Sequence, residues 1–190
     1  YTSHRGMVEV YSTKDKDQTV WQPRPADVEL ETEFLRRMMV KLGVSEAQAR
    51  ATWVSNVRYA AAEAKKLGLP LLIEPINSFD MPGYFVNRPR QAIALMDEVG
   101  ADNVFLQYDI YHAQRMEGEL AATAKKHLAR IGHVQLADNP GRNEPGTGEI
   151  NYKFLFEHLD RIGYEGWIGC EYKPAGSTQA GLGWMQKLAQ

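Results

Sequence analysis

Four apolar runs of the 190-residue chain each deliver a side-chain oxygen where the hydrophobicity gives out. LLIE closes on Glu74, FLQYD on Asp109, HVQLAD carries Gln135 and Asp138, and IGCE closes on Glu171. Two glutamates, an aspartate and an amide carbonyl would make a hard, mostly anionic oxygen cage. Such a cage suits Mg²⁺ or Mn²⁺ rather than Zn²⁺, which prefers Cys and His. Three carboxylates brought close would repel one another and raise each other's pKa, and a divalent cation removes that problem. A single acidic residue after a strand is usually a helix cap or a surface charge, so the weight rests on four strands sharing the feature. Asp138 is read as loop or cap, because ADNPGRNEPGTGE is rich in turn formers.

Side chains from four segments can meet only if a fold gathers the segment ends, and the pattern between them supplies one. VSEAQARATWVSNVRYAAAEAKKLG (44–68) opens on a capping box, Ser45 with Gln48, closes at Gly68, and carries Trp53, Val57, Ala60 and Ala64 on one stripe. Strands are predicted over 69–75, 103–109, 133–138 and around GWIGCEY, and helices over 88–100, 117–132 and 151–163, with TQAGLGWMQKLAQ as a closing helix. The strands are almost continuously apolar, as strands covered on both faces are. Repeated β-α units of this kind build a parallel sheet clothed in helices. No G-x-G-x-x-G follows a strand, which weighs against an open dinucleotide-binding sheet. The expected fold is therefore a TIM-type (β/α) barrel, whose catalytic groups gather at the C-terminal ends of its strands.

Composition narrows the chemistry. At 44% apolar and 24% charged, with both signs mixed, the chain reads as one globular domain with material for a core. A net charge of −2 offers no basic footprint for nucleic acid, and no apolar run approaches a membrane span. A small-molecule substrate is the expected partner. Cys170 is the only cysteine, so an internal disulfide is impossible, which fits a reducing cytoplasm. His112, three residues past Asp109, is read either as a structural histidine or as a contact to substrate. Arg142 and Lys173 lie in loops beside the same strand ends, where a cation clamps an anionic substrate well but is also commonly just solvated. Tyr108 and Tyr111 are read as packing, and DMPGYF (80–85) as a turn or lid loop.

The segments LLIEPINSFDMPGYF, QYDIYHAQRMEGEL, HVQLADNPGRNEPGTGEINY and GWIGCEYKP, in this order and spacing, resemble the hydroxypyruvate isomerases of the xylose-isomerase-like TIM-barrel superfamily over roughly residues 44–188. The resemblance implies an intramolecular isomerase that interconverts hydroxypyruvate and tartronate semialdehyde through an enediolate. It puts acid and base roles on Glu74 and Glu171, completes a divalent-metal site with Asp109 and Gln135, and implies a 2-oxo acid or sugar-like substrate. Related ketose epimerases have histidine at the Gln135 position, so this chain departs from them there. The substrate carboxylate calls for a cation or donor, for which His112, Arg142 and Lys173 are the candidates. Two other readings remain open: a 2-oxo-tetronate isomerase or ketose 3-epimerase on the same scaffold, and a non-enzymatic barrel fragment or interaction module.

Residues 1–43 form an atypical segment. It offers one strand, MVEVYS, and one helix over roughly 27–42 with Phe34, Leu35, Met38 and Leu42 on a stripe. A full barrel takes eight βα units and typically ~250 residues. The expectation is thus an incomplete barrel whose C-terminal half, 44–190, carries the site. Its open edges would favour self-association into a homo-oligomer.

Overall fold

The computed structural model describes residues 8–10 and 43–188. Its elements run β1 (Val8–Val10), α1 (Glu46–Lys66), β2 (Leu71–Ile73), α2 (Pro89–Val99), β3 (Val104–Asp109), α3 (Ile110–Met116), α4 (Leu120–His127), β4 (Ile131–Leu136), α5 (Tyr152–Arg161), β5 (Ile168–Cys170), α6 (Thr178–Gly181) and α7 (Trp184–Leu188). The strand expected in MVEVYS is present as β1; the helix expected over 27–42 lies outside the described residues.

Local signals account for most boundaries. Ser45 accepts a hydrogen bond from the Gln48 backbone while the Gln48 side chain accepts from the Ser45 N–H, so both partners of the capping box are in place. Gly100 ends α2 with φ 71°, a left-handed conformation that glycine adopts without a Cβ penalty. Three boundaries differ from the pattern. The helix expected over 117–132 ends at His127, a 3₁₀ turn covers Leu128–Arg130, and β4 starts at Ile131. Gly132 explains the early start: a Cβ there would lie 2.8 Å from Phe105 Cβ and from Leu72 Cδ2, so only glycine lets β4 close against its neighbours. The C-terminal helix is split into α6 and α7, at a segment carrying Gly181 and Gly183, which weaken a helix by roughly 1 kcal/mol each. The stripe expected on α1 is rotated slightly, since Val54 and Ala61 are its buried residues while Trp53 and Val57 pack at the edge of the core.

The five strands among the described residues are all parallel, in the order β1-β5-β4-β3-β2. From β2 to β5 each strand adds beside its predecessor on the same side. The order never reverses, as it would in a doubly wound sheet, and the first strand pairs with the last. This is the progression of a barrel, left open among the described residues with β1 and β2 at its edges. Val104, Leu106 and Tyr108 of β3 and Val134 and Leu136 of β4 are buried together with Leu95 and Met96 of α2. Phe105 and Gln107 alternate with them and face the concave side, where they are half-buried. Among the described residues, no helix is long and apolar enough to cross a membrane.

Candidate functional site

Strand pleating gathers the oxygen-bearing side chains on that concave side. Asp109 lies two residues beyond Gln107, Glu74 two beyond Leu72, and Glu171 two beyond Gly169, so each shares a face with its predecessor. Register does the rest: Asp109 stands opposite Gln135, and Gln135 opposite Gly169.

Asp109 has two jobs, one per oxygen. Its Oδ1 caps α3, accepting from the backbone N–H groups of Tyr111 (2.8 Å) and His112 (3.1 Å). Its Oδ2 is buried and has no hydrogen-bond partner among the described residues, and Glu74 Oε1 is in the same condition. His112 is buried beside them, with Nε2 3.9 Å from Asp109 Oδ2 and 4.0 Å from Glu74 Oε1. One donor atom from each of Glu74, Asp109 and His112 lies within 4.8 Å of the others. Gln135 Oε1 accepts from Gln107 Nε2, and Gln107 also hydrogen-bonds Glu74.

Glu171 stands at the open side of the group, its side chain 46% exposed, in an ion pair of 2.9 Å with Arg142 Nη2. Arg142 adopts a left-handed backbone (φ 55°) and lays its guanidinium over the Tyr111 ring, 5.2 Å from the centroid. Lys173 is exposed; its backbone N–H donates to Arg142 O at 2.7 Å and its carbonyl accepts from Asn143 Nδ2. The structure thus gathers Glu74, Asp109 and His112 tightly, sets Gln135 and the Glu171–Arg142 pair beside them, and leaves Lys173 exposed on the outer part of the loop.

Several contributors lack a sequence motif. Gln107 was legible only through period two, which puts it on the face of Asp109. Tyr111, read as packing, donates its hydroxyl to Asp80 at 2.7 Å and is flanked by Arg115 as well as Arg142. Asp138 is more than a cap. Buried, it accepts from the N–H groups of Asn139, Gly146, Gly148 and Ile150, and so ties together both ends of the loop that carries Arg142.

Burial and like charge shape the titration of the group. Glu74 is pushed up to about 8, first by desolvation and then by Asp109 and Glu171. Burial also raises Asp109, and it raises Glu171 against the opposing pull of Arg142. His112 is lowered to about 4, first by burial and then by Arg142, which keeps the ring neutral. Between the ordinary carboxyl value of 4.5 and about 8, folded Glu74 holds its proton while the unfolded chain has released it. The folded state then binds more protons, so its stability falls as pH rises through that window. Without added divalent cation, the melting temperature is expected to drop between pH 5 and pH 8. Glu74→Gln should flatten that slope; an unchanged slope would mean that Glu74 is not the group responsible.

The match to known proteins follows the same geometry. A family model described as xylose isomerase-like TIM barrel matches residues 27–188, beginning inside the segment that motif reading left unassigned. Hydroxypyruvate isomerase of Escherichia coli strain K12 is 56% identical over 143 residues, 75% of this chain and 55% of that protein. The 2-oxo-tetronate isomerase of Cupriavidus necator is 49% identical over 148 residues, 78% of this chain and 57% of the relative. The chain therefore spans about half the length of the curated relatives it matches. Among solved structures, an AP endonuclease of family 2 from Brucella melitensis superposes with a TM-score of 0.74 at 34% identity, covering 90% of this chain and 71% of that one. With the model spanning most of the chain and the strands in barrel order, this protein belongs to the xylose isomerase-like TIM barrel family.

Proposed function

We propose that this chain carries the proton-transfer centre of an isomerase that interconverts hydroxypyruvate and tartronate semialdehyde, with Glu74 and Glu171 sharing the acid and base roles. The observation behind this reading is the pair of buried oxygens without partners among the described residues, Glu74 Oε1 and Asp109 Oδ2, together with the raised pKa values of Glu74 and Glu171. Buried acceptors rarely stay unsatisfied, and two converging carboxylate oxygens fit a hard divalent cation, Mg²⁺ or Mn²⁺. Glu74, Asp109, Gln135 and Glu171 would hold it. When bound, it would supply Lewis-acid stabilisation of negative charge on the substrate oxygens.

The chain's own groups move the proton. A carboxylate takes a proton from C3 of hydroxypyruvate, leaving an enediolate across C2 and C3. A carboxylic acid then returns a proton to C2 while the C3 hydroxyl proton passes to the C2 oxygen, leaving an aldehyde at C3 and a hydroxyl at C2, so atoms and charge balance. Glutamates with raised pKa are suited to both halves near neutral pH. Arg142 is the clamp for the substrate carboxylate, and its ion pair with Glu171 has a consequence. A substrate carboxylate that engages Arg142 competes for the cation and releases Glu171 to act. His112 Nε2 faces the same space and binds a substrate oxygen.

The identity to the Cupriavidus relative favours a second substrate on the same centre, 2-oxo-tetronate. Proton NMR of hydroxypyruvate in D₂O with the chain and millimolar Mg²⁺ or Mn²⁺ tests the main reading. Loss of the C3 proton signal at a rate above buffer, dependent on added cation, is expected. No exchange by folded, cation-loaded chain would overturn it in favour of a non-enzymatic role. Faster exchange with 2-oxo-tetronate than with hydroxypyruvate would move the assignment to the second substrate.

A further inference from the structure

His112 sits in the cluster as though it were a third ligand, but the other side of its ring argues against that role. Asn77, fully buried in the loop after β2, meets His112 Nδ1 twice. Its backbone N–H donates to Nδ1 at 3.3 Å, and its side-chain nitrogen lies 2.6 Å from the same atom. The orientation of the Asn77 amide is fixed independently. Its Oδ1 accepts from the backbone N–H groups of Phe79 (3.0 Å) and Asp80 (2.8 Å), which can only donate, and its Nδ2 donates to Asp80 Oδ2 at 3.0 Å. Two donors therefore face Nδ1. In a neutral ring Nδ1 must then be the acceptor, and the proton resides on Nε2. An Nε2–H has no lone pair to offer a cation between Glu74 and Asp109.

We propose that Asn77 is a positioning residue that locks His112 as the Nε2–H tautomer, excluding the imidazole from the metal-ligand set and turning it into a hydrogen-bond donor aimed at a substrate oxygen. The donor role rests on the isomerase reading; the tautomer and its effect on cation choice do not. Excluding imidazole keeps the site all-oxygen, and this favours Mg²⁺ and Mn²⁺ over metals that seek nitrogen. Asn77 also transmits the state of its loop. Asp80, which it holds, accepts from the Tyr111 hydroxyl and pairs with Arg115 at 3.3 Å, so a rearranged 77–80 turn would release the tautomer as well.

The test begins with ¹⁵N NMR of the metal-free chain labelled at histidine. The expected spectrum shows His112 Nε2 protonated and Nδ1 bare; the opposite pattern overturns the proposal without any variant. The second arm is the double variant Asn77→Asp with Asp80→Asn, which keeps the 77–80 hydrogen bond but exchanges its donor and acceptor. A carboxylate acceptor then takes the 2.6 Å position at Nδ1, leaving only the longer 3.3 Å backbone N–H as a donor, so the proton should move to Nδ1 and the bare Nε2 should turn toward Glu74 and Asp109. Titration calorimetry with Zn²⁺ and Mg²⁺ should show the ratio of affinities shifting toward Zn²⁺ by about 10- to 100-fold, the usual scale for altering the partner of a histidine ligand. A folded double variant with an unmoved tautomer or an unchanged ratio would overturn the proposal. A normal tautomer in a chain that exchanges no substrate proton would instead count against the isomerase reading alone.

Discussion

Glu171→Gln is expected to slow proton exchange at C3 of hydroxypyruvate by ~10²- to 10⁴-fold, the usual contribution of a positioned acid or base, while the chain stays folded. The side chain is nearly half exposed and its ion pair with Arg142 lies toward solvent, so removing the charge costs little stability. The same change frees Arg142 from its competing carboxylate, so KM for the 2-oxo acid should stay level or fall while kcat drops. Glu74→Gln should slow exchange comparably but leave a different trace. It replaces a buried carboxyl pushed up to about 8 by a neutral amide, so the variant should melt higher than the parent near pH 8 without cation, whereas both variants lose a proposed ligand and should bind Mn²⁺ more weakly. Exchange rates by NMR, read with melting curves, separate the two glutamates. Near-normal exchange by folded Glu171→Gln would remove it from the acid-base pair.

The parts of the fold legible in the sequence are those set by short-range chemistry. Ser45 with Gln48 marks the start of α1 and Gly100 the end of α2, because caps and left-handed turns are satisfied within a few residues. The barrel progression was legible because uninterrupted apolar strands alternate with helices, and chain order then largely dictates sheet order. The placement of Glu74, Asp109, Gln135 and Glu171 on one concave face follows from strand ends and period two. What stayed hidden depends on partners distant in sequence. The early start of β4 comes from Gly132 fitting against Leu72 and Phe105, which nothing local announces. The helix α3 was masked because its cap is Asp109, a residue already given another role. The loop 138–150 reads as featureless turn formers until Asp138 is seen gathering four N–H groups from across it. Asn77 against His112 is a contact across 35 residues, and its meaning lies in donor and acceptor directions that a motif does not encode.

Asp109 offers the sharpest separation of folding from function, because its two oxygens do different things. Oδ1 caps α3, and asparagine caps helices about as well as aspartate does. Oδ2 is the buried oxygen without a partner that converges on Glu74. Asp109→Asn should therefore keep α3 while removing the negative charge at the centre of the proposed cation site. Mn²⁺ affinity should fall by more than the ~10- to 100-fold that loss of an outer-shell partner typically costs, and exchange should fall with it. Removing a buried charge should also leave the cation-free fold no less stable than the parent. Asp109→Ala loses the cap as well and should be less stable than Asp109→Asn by ~0.5–2 kcal/mol. Calorimetric Mn²⁺ titration and denaturation of both variants read the two roles independently. Parent-like Mn²⁺ binding by Asp109→Asn would show that the oxygen without a partner is not a ligand. Equal stability of the two variants would show that the cap contributes nothing to holding α3 against the strand it follows.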